Sequence, residues 1–198
     1  MSYDYDAHPF FEGYLKGDNG LEPYISFLNL QEEIYPGNYI KMRNLENHDF
    51  GRVAGFVKNP DTLKAWHAFS FFARGSTMIY MGGEFSDAKH PDLFDKDVMD
   101  RTGEDLSEWI KKLRSLSANP ILIDGALHYQ KAENKDVITV SYAHKDAQLL
   151  GIFNVSNASG ELKVDVPDGT YENSLTGETL TVKNGQMEIP KTACIIEK

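Results

Sequence analysis

Cysteine is almost missing from this 198-residue chain: its one example, Cys194, lies in the apolar run Cys194-Ile195-Ile196. A lone thiol excludes an intrachain disulfide and any cysteine-built zinc site, and among isoleucines it reads as a small buried hydrophobe. It leaves the redox compartment open. Positive charge is also short. Twenty Lys and Arg stand against thirty Asp and Glu, a formal net charge of −10, and no clustered basic stripe offsets the deficit, so neither a phosphate backbone nor an anionic bilayer is an expected partner. No apolar run approaches the roughly 20 residues of a membrane-spanning helix. The start, Met1-Ser2-Tyr3-Asp4, has neither the basic nor the apolar stretch of an export signal, which leaves localisation undetermined. Internal repeats and low-complexity segments are lacking too. What is present, 41% hydrophobic and 12% aromatic residues, suffices for the packed core of one large domain or two small ones.

Hydrophobic periodicity changes at Asn119-Pro120. Before it, Leu21, Tyr24, Ile25 and Leu28 follow the i, i+3, i+4, i+7 spacing of one helical face with Pro23 in the first turn, predicting a helix over about residues 20–35. Asn59-Pro60 predicts a second helix start, with Leu63, Trp66, Phe69, Ser70 and Ala73 following and a stop at Gly75. Thr102 with Asp105 three residues on predicts a third, burying Leu106, Trp109, Ile110, Leu113 and Leu116. Strand-like runs at 39–43 and 77–81 alternate with these helices, which indicates βα units on a parallel sheet. Residues 1–118 are too few for a complete eight-stranded α/β barrel, which needs about 200 or more. After Pro120 the period becomes two. Runs at 137–142, 149–153, 162–166 and 179–182 read as strands, separated by turn signals at Asn157-Ala158-Ser159-Gly160, Asp168-Gly169, Thr176-Gly177 and Asn184-Gly185. Residues 119–198 are therefore expected to form an antiparallel β-sandwich.

The segment Arg43-Asn44-Leu45-Glu46-Asn47-His48-Asp49-Phe50-Gly51-Arg52 follows a predicted parallel strand at its C-terminal end, where the loops of such sheets converge and reactive groups are placed. It offers two carboxylates (Glu46, Asp49), an imidazole (His48), an amide (Asn47) and a guanidinium (Arg52). Local chemistry alone suits a solvated loop equally well, and His48 alone suits a structural histidine. Gly82-Gly83-Glu84-Phe85 follows the next strand; its glycines permit a tight turn that brings Glu84 near the same mouth, or simply a strand-to-loop turn. Trp66, Phe69, Phe71 and Phe72 fall on helical spacing and read as core. His8, His67, His90, His128 and His144 show no metal-ligand spacing, so no metal ligand is assigned.

Taken in order, these two motifs and the trailing β segment resemble glycoside hydrolase family 13, the α-amylase family. There the seventh barrel strand ends in Asn-His-Asp, matched by Leu45-Glu46-Asn47-His48-Asp49 with Arg52 following. The eighth commonly ends in a tyrosine, glycines and a glutamate, matched by Ile79-Tyr80-Met81-Gly82-Gly83-Glu84. The resemblance implies an α/β part followed by an all-β part: residues 1–118 as the C-terminal portion of a (β/α)8 TIM barrel, about strands 6–8 and helices 6–8 beginning near Ser2-Tyr3-Asp4-Tyr5-Asp6, and residues 119–198 as a C-terminal β-sandwich domain. It further implies that His48 and Asp49 contact hydroxyls of the sugar at the cleavage subsite, that Asp49 stabilises the transition state, and that Asn47, Arg52 and Glu84 are substrate-binding residues at or behind the mouth.

Retaining glycoside hydrolysis needs a nucleophilic carboxylate and a separate general acid roughly 5–5.5 Å apart. In the family these come from the fourth and fifth strands, which the resemblance does not find in this chain. Glu46 and Asp49 are three apart at a strand end, where side chains alternate direction, and nothing in the sequence fixes them across one sugar. The parent protein is thus expected to act on α-linked glucosides or maltooligosaccharides by retaining hydrolysis or transglycosylation, and this chain alone to be catalytically incomplete. No cofactor is expected; many family members bind calcium, but their usual ligands find no match here. The alternative is a non-catalytic carbohydrate-binding or scaffold protein. Its mark would be exposed aromatics on the β segment, which holds only Tyr129, Tyr142, Phe153 and Tyr171. Asn154-Val155-Ser156 and Asn157-Ala158-Ser159 fit the glycosylation acceptor pattern, although Asn157 is accounted for by its turn. The β segment is expected to fold alone. The partial barrel is expected to self-associate, or to cover its open sheet against the β segment or a neighbouring chain.

Overall fold

Proline and asparagine set the helix starts in the computed structural model, which describes residues 1–198. Helix α1 (His8–Lys16) has Pro9 in its first turn and ends on Gly17, whose φ of +78° is the left-handed conformation that lets its N–H close onto Tyr14. Helix α2 (Glu22–Ile34) has Pro23 in its first turn. After a single turn, α3 (Val53–Phe56), comes α4 (Pro60–Phe72), where Asn59 Oδ1 accepts from Thr62 N at 3.0 Å. Helices α5 (Ser107–Leu116) and α6 (Ile121–Asp124) complete the helical set. No helix is long and apolar enough to cross a membrane.

Strands β1 (Ser2–Tyr3), β2 (Lys41–Arg43) and β3 (Ser76–Thr77) form a parallel sheet in that order, with Tyr3 beside Met42 and Arg43 beside Thr77. After residue 125 every pairing is antiparallel. Strands β4 (Ala126–Lys131), β5 (Val137–His144), β6 (Ala147–Asn154) and β11 (Ala193–Glu197) make a sheet of order β11-β6-β5-β4. Strands β7 (Glu161–Lys163) and β10 (Gln186–Glu188) form one pair, β8 (Gly169–Glu172) and β9 (Thr179–Val182) another.

The four-stranded sheet buries both faces, and its alternation assigns each residue to one of them. Ile138, Val140, Tyr142, Phe153 and Ile195 share a core with Phe69 and Phe72 of α4 and with Tyr24, Ile25 and Leu28 of α2. Val137, Ile152, Cys194 and Ile196 share a second core with Leu162, Val166, Val182, Met187 and Ile189 from the two strand pairs and their loops. Cys194 is fully buried, as its neighbours suggest, and burial pushes its thiol up to about 12. At Gly151 a Cβ would stand 2.7 Å from both Phe72 and Phe153, so the close approach of α4 to β6 requires glycine there. Asn29 of α2 acts as an edge partner for β4, its side chain donating to Tyr129 O at 2.7 Å and accepting from Tyr129 N at 2.9 Å. The Tyr142 hydroxyl donates to Phe72 O at 2.8 Å. Backbone pattern changes at Asn119; packing continues straight across it.

Several boundaries differ from expectation for identifiable reasons. The helix expected from Thr102 begins at Ser107, because the chain before it is held to the preceding loop: Leu106 N bonds Glu84 O at 2.8 Å and Ser86 Oγ bonds Glu104 O at 2.9 Å. Asp105 still accepts from Ser107 N at 2.9 Å. The strand expected at 77–81 shortens to Ser76–Thr77, since after Met78 N bonds Arg43 O the chain turns, Gly83 N reaching Tyr80 O. The run at 39–43 is a strand only over Lys41–Arg43, and that at 162–166 only over Glu161–Lys163. Helix α1 and strands β4, β8, β10 and β11 were not anticipated as elements, although Pro9 and Gly17 bracket α1 in the sequence.

Candidate functional site

The parallel sheet presents two chemically different faces. Toward α2 lie charged side chains that are nevertheless buried: Arg43 is ion-paired with Asp4 and donates to Gln31 Oε1 at 2.7 Å, while Gln31 Nε2 donates to Asp4 Oδ1 at 2.7 Å. Lys41 Nζ meets Asp6 Oδ1 at 2.6 Å, and the Tyr35 hydroxyl donates to Asp6 Oδ2 at 2.6 Å. Burial opposes ionisation of Asp6, but the bonds from Lys41 and Tyr35 prevail and hold its carboxyl at about 2. This network fixes β1 and β2 relative to each other and to α2, so the loops leaving their C-terminal ends start from a rigid base.

At the end of β2, Asn47 is buried and builds the turn. Its Oδ1 accepts from Asp49 N at 2.7 Å and Phe50 N at 3.1 Å, the pattern by which an asparagine side chain closes a turn on its own backbone. The turn pushes His48 and Asp49 outward, to side-chain exposures of 57% and 42%, with His48 Nε2 3.3 Å from Asp49 Oδ1. Tyr5, just past β1, donates its hydroxyl to Asp49 Oδ2. Its ring lies 5.2 Å from Phe50, which stacks on His8 at 3.3 Å between centroids. His8 is buried, and burial brings its imidazole down to about 4.

Behind this surface Glu46 and Arg52 form a buried pair, Oε1 to Nη1 at 2.7 Å, and Glu46 Oε2 accepts from Val53 N at 2.8 Å. Burial pushes the Glu46 carboxyl upward; Arg52 and the Val53 N–H oppose the shift without cancelling it. Arg52 also donates to Met81 O at 2.7 Å and Lys89 O at 3.2 Å, with its guanidinium 4.7 Å from the Tyr80 ring. It therefore ties the loop after β2 to the loop after β3. That second loop runs through a 3₁₀ turn at Gly83–Phe85. Gly82 has φ +95°, and a Cβ there would stand 3.0 Å from Arg52 Nη2, so the close approach requires glycine.

Of the predicted residues, His48 and Asp49 are together and open to solvent. Asn47 and Arg52 are adjacent to them but buried, with Asn47 Oδ1 and the Arg52 guanidinium engaged inside the loops. Glu84 is half-buried and accepts from Gly82 N at 2.9 Å, closing its own turn, with no hydrogen bond to Asp49 or His48. Tyr5 was missed; its position at the end of the first parallel strand was the available signal. No three His, Cys, Asp or Glu side chains converge as a metal-binding group. On the β segment Tyr129, Tyr142 and Phe153 are buried and Tyr171 is half-buried, its hydroxyl bonded to Pro167 O at 2.7 Å.

Residues 128–196 match the family model of the bacterial alpha amylase C-terminal domain. An alpha-amylase from Lactobacillus plantarum superposes with a TM-score of 0.92 at 28% identity, covering 99% of this chain and 47% of that one. The maltogenic alpha-amylase AmyB from Thermotoga neapolitana gives 0.80 at 27% identity, covering 98% and 50%. An alpha-amylase from Geobacillus thermoleovorans, solved with acarbose, shares the fold at 0.74 and 19% identity, covering 96% and 46%. The chain thus spans about half the length of the solved structures it matches. No curated protein sequence matches it significantly.

Proposed function

We propose that this chain, whose residues 128–196 match the bacterial alpha amylase C-terminal domain and whose whole length superposes on solved alpha-amylases, belongs to the α-amylase family and supplies one wall of a glycosidase site for α-linked glucosides. In this reading residues 1–118 are the last strands and helices, about 6–8, of a (β/α)8 barrel, and residues 119–198 its C-terminal β-sandwich domain. The parallel order of β1, β2 and β3, each followed by helix, supports it. The observation that carries the site is the pair His48 and Asp49, raised into solvent by the Asn47 turn at the C-terminal end of β2.

Asp49 is the carboxylate that stabilises the transition state. It accepts hydrogen bonds from sugar hydroxyls, and these strengthen as the ring gains oxocarbenium character. His48 binds a neighbouring hydroxyl. Asn47, Arg52 and Glu84 shape and hold the two loops that present them. Glu46 is an unsuitable substitute nucleophile: both its oxygens are occupied, by Arg52 and by Val53 N. The nucleophile and general acid are assigned to the half of the solved relatives that this chain does not span.

The ligand class is maltooligosaccharide; of the solved structures with this fold, AmyP was determined with maltose. The test is incubation of the purified chain with maltoheptaose and with an activated α-glucoside. Cleavage at the uncatalysed rate is expected. Turnover that survives repurification and vanishes in Asp49→Ala would overturn the assignment of the nucleophile and acid elsewhere.

A further inference from the structure

Tyr5 belongs to neither sequence motif, yet it is the one side chain outside the β2 loop that hydrogen-bonds to Asp49. Its hydroxyl engages Oδ2, while His48 Nε2 stands beside Oδ1. The carboxylate is therefore anchored at Oδ2 by a residue just past β1, while Oδ1 stays on the solvent side beside His48. Asp4 and Asp6 reach toward α2, where Arg43 and Lys41 engage them, while Tyr5, between them in the turn after β1, reaches Asp49 instead.

The hydroxyl is held in place by the rings around it. Tyr3 meets Tyr5 edge-on at 5.9 Å, Phe50 lies at 5.2 Å on another side, and the buried His8 of α1 backs Phe50. Tyr5 and Tyr3 nonetheless remain 45% and 47% exposed, so the bond to Asp49 sits at the rim, where a ligand arrives. A carboxylate free to rotate must lose that freedom when it binds; one already fixed does not, and such pre-positioning lowers the cost of binding.

We propose that Tyr5 is a positioning residue for Asp49, fixing Oδ2 so that Oδ1 and His48 together face the hydroxyls of an α-linked glucoside. The proposal rests on the reading of Asp49 as the sugar-facing carboxylate. A purely structural role, clamping the β1 and β2 ends, would be served by the ring alone; positioning requires the hydroxyl. Consistent with a proton shared with a carboxylate, ionisation of the Tyr5 phenol is displaced upward, chiefly by its hydrogen bond to Asp49.

The experiment is maltotriose titration of the 198-residue chain, followed by NMR, with the unaltered protein, Tyr5→Phe, Asp49→Asn and the double variant. Tyr5→Phe keeps the ring packing and is expected to unfold at the temperature of the unaltered chain while weakening maltotriose binding between about twofold and tenfold, the range for one hydrogen bond. Asp49→Asn weakens it at least as much, and the double variant no further, because Tyr5 acts through Asp49. In protein labelled at the tyrosine ring carbon bearing oxygen, the Tyr5 resonance should titrate at lower pH in Asp49→Asn than in the unaltered chain. Wild-type affinity in Tyr5→Phe with a loss in Asp49→Asn would overturn the proposal and leave the reading of Asp49 standing. Additive losses would overturn it too, placing Tyr5 on the sugar itself. Absence of binding by the unaltered chain, or no loss in Asp49→Asn, would overturn the reading of Asp49 and the proposal with it.

Discussion

Glu46 and Arg52 face each other at 2.7 Å in the interior, and each completes its hydrogen bonding on a different part of the chain, Glu46 on Val53 N and Arg52 on Met81 O and Lys89 O. One ion pair thus sets the spacing of two loops at the end of the parallel sheet. Removing one partner leaves the other charged and buried, which typically costs about 3–5 kcal/mol. Arg52→Ala should lose stability in that range in urea denaturation, and Glu46→Gln less, because the amide keeps an acceptor for Val53 N. A loss under about 1 kcal/mol in Arg52→Ala would mean that the loops do not depend on the pair.

Asn47 predicts a smaller and more local effect. Without its side-chain oxygen the N–H groups of Asp49 and Phe50 lose their acceptor. Asn47→Ala should cost about 1–2 kcal/mol in stability, and in maltotriose titration it should weaken binding by displacing His48 and Asp49. Asn47→Asp, which retains the acceptor, should recover most of both. Equal behaviour of the two variants would contradict the turn's role.

His67 predicts the acid response. It is buried in α4 with neither ring nitrogen hydrogen-bonded, and burial holds its imidazole down at about 4, against the ordinary 6.5. The unfolded chain therefore takes up this proton first as pH falls. Its contribution to stability is complete above pH 6.5 and is lost between there and about pH 4, amounting to about 3 kcal/mol at 1.36 kcal/mol per pH unit. His8, also held at about 4 by burial, acts in the same direction. Denaturation of His67→Leu from pH 7 to pH 4 should show a shallower decline than the unaltered chain; parallel declines would exclude His67 as a source.

Phe72 tests how the two halves are joined. It lies edge-on to Tyr142 at 5.4 Å and tilted on Phe153 at 5.5 Å, and it fills the space that Gly151 leaves. Phe72→Ala should cost about 3–5 kcal/mol, and helical signal and β signal should shift together in one transition. Periodicity alone suggests that residues 119–198 fold unaided. The face of Ile138, Val140, Tyr142 and Phe153 that α4 covers predicts instead that the isolated piece binds an apolar dye. Two separate transitions in the intact chain would contradict a shared core.

How much of this was legible depended on how local each cause is. Asn59-Pro60 reads as a helix start because cap and proline act within three residues, and the structure shows that cap. Thr102 and Asp105 have the same form on paper, but contacts to residues 84 and 86 claim that stretch first. The Asn47-His48-Asp49 motif was visible. The burial of Lys41 and Arg43 was not, since charged strand residues ordinarily face water and only the distant Asp4, Asp6 and Gln31 make their burial affordable. Tyr5 was invisible for the same reason: its meaning is a contact across 44 residues. Period-two patterning located β5 and β6; packing of the helical half on the β segment was one expectation raised by the open parallel sheet, but that α2 and α4 would make the contact was not readable from either pattern.

The central claim, that the end of β2 is where this chain meets an α-glucoside, is tested most directly by mapping maltotriose-induced NMR shifts over the whole chain. The account predicts shifts concentrated at His48, Asp49, Tyr5 and Tyr3, abolished in Asp49→Ala. Shifts confined instead to the cavity of about 320 Å³ on the β segment, lined by His128, Gln130, Thr139, Ser141, Gln148 and Lys163, would contradict it and make this a carbohydrate-binding surface of another kind.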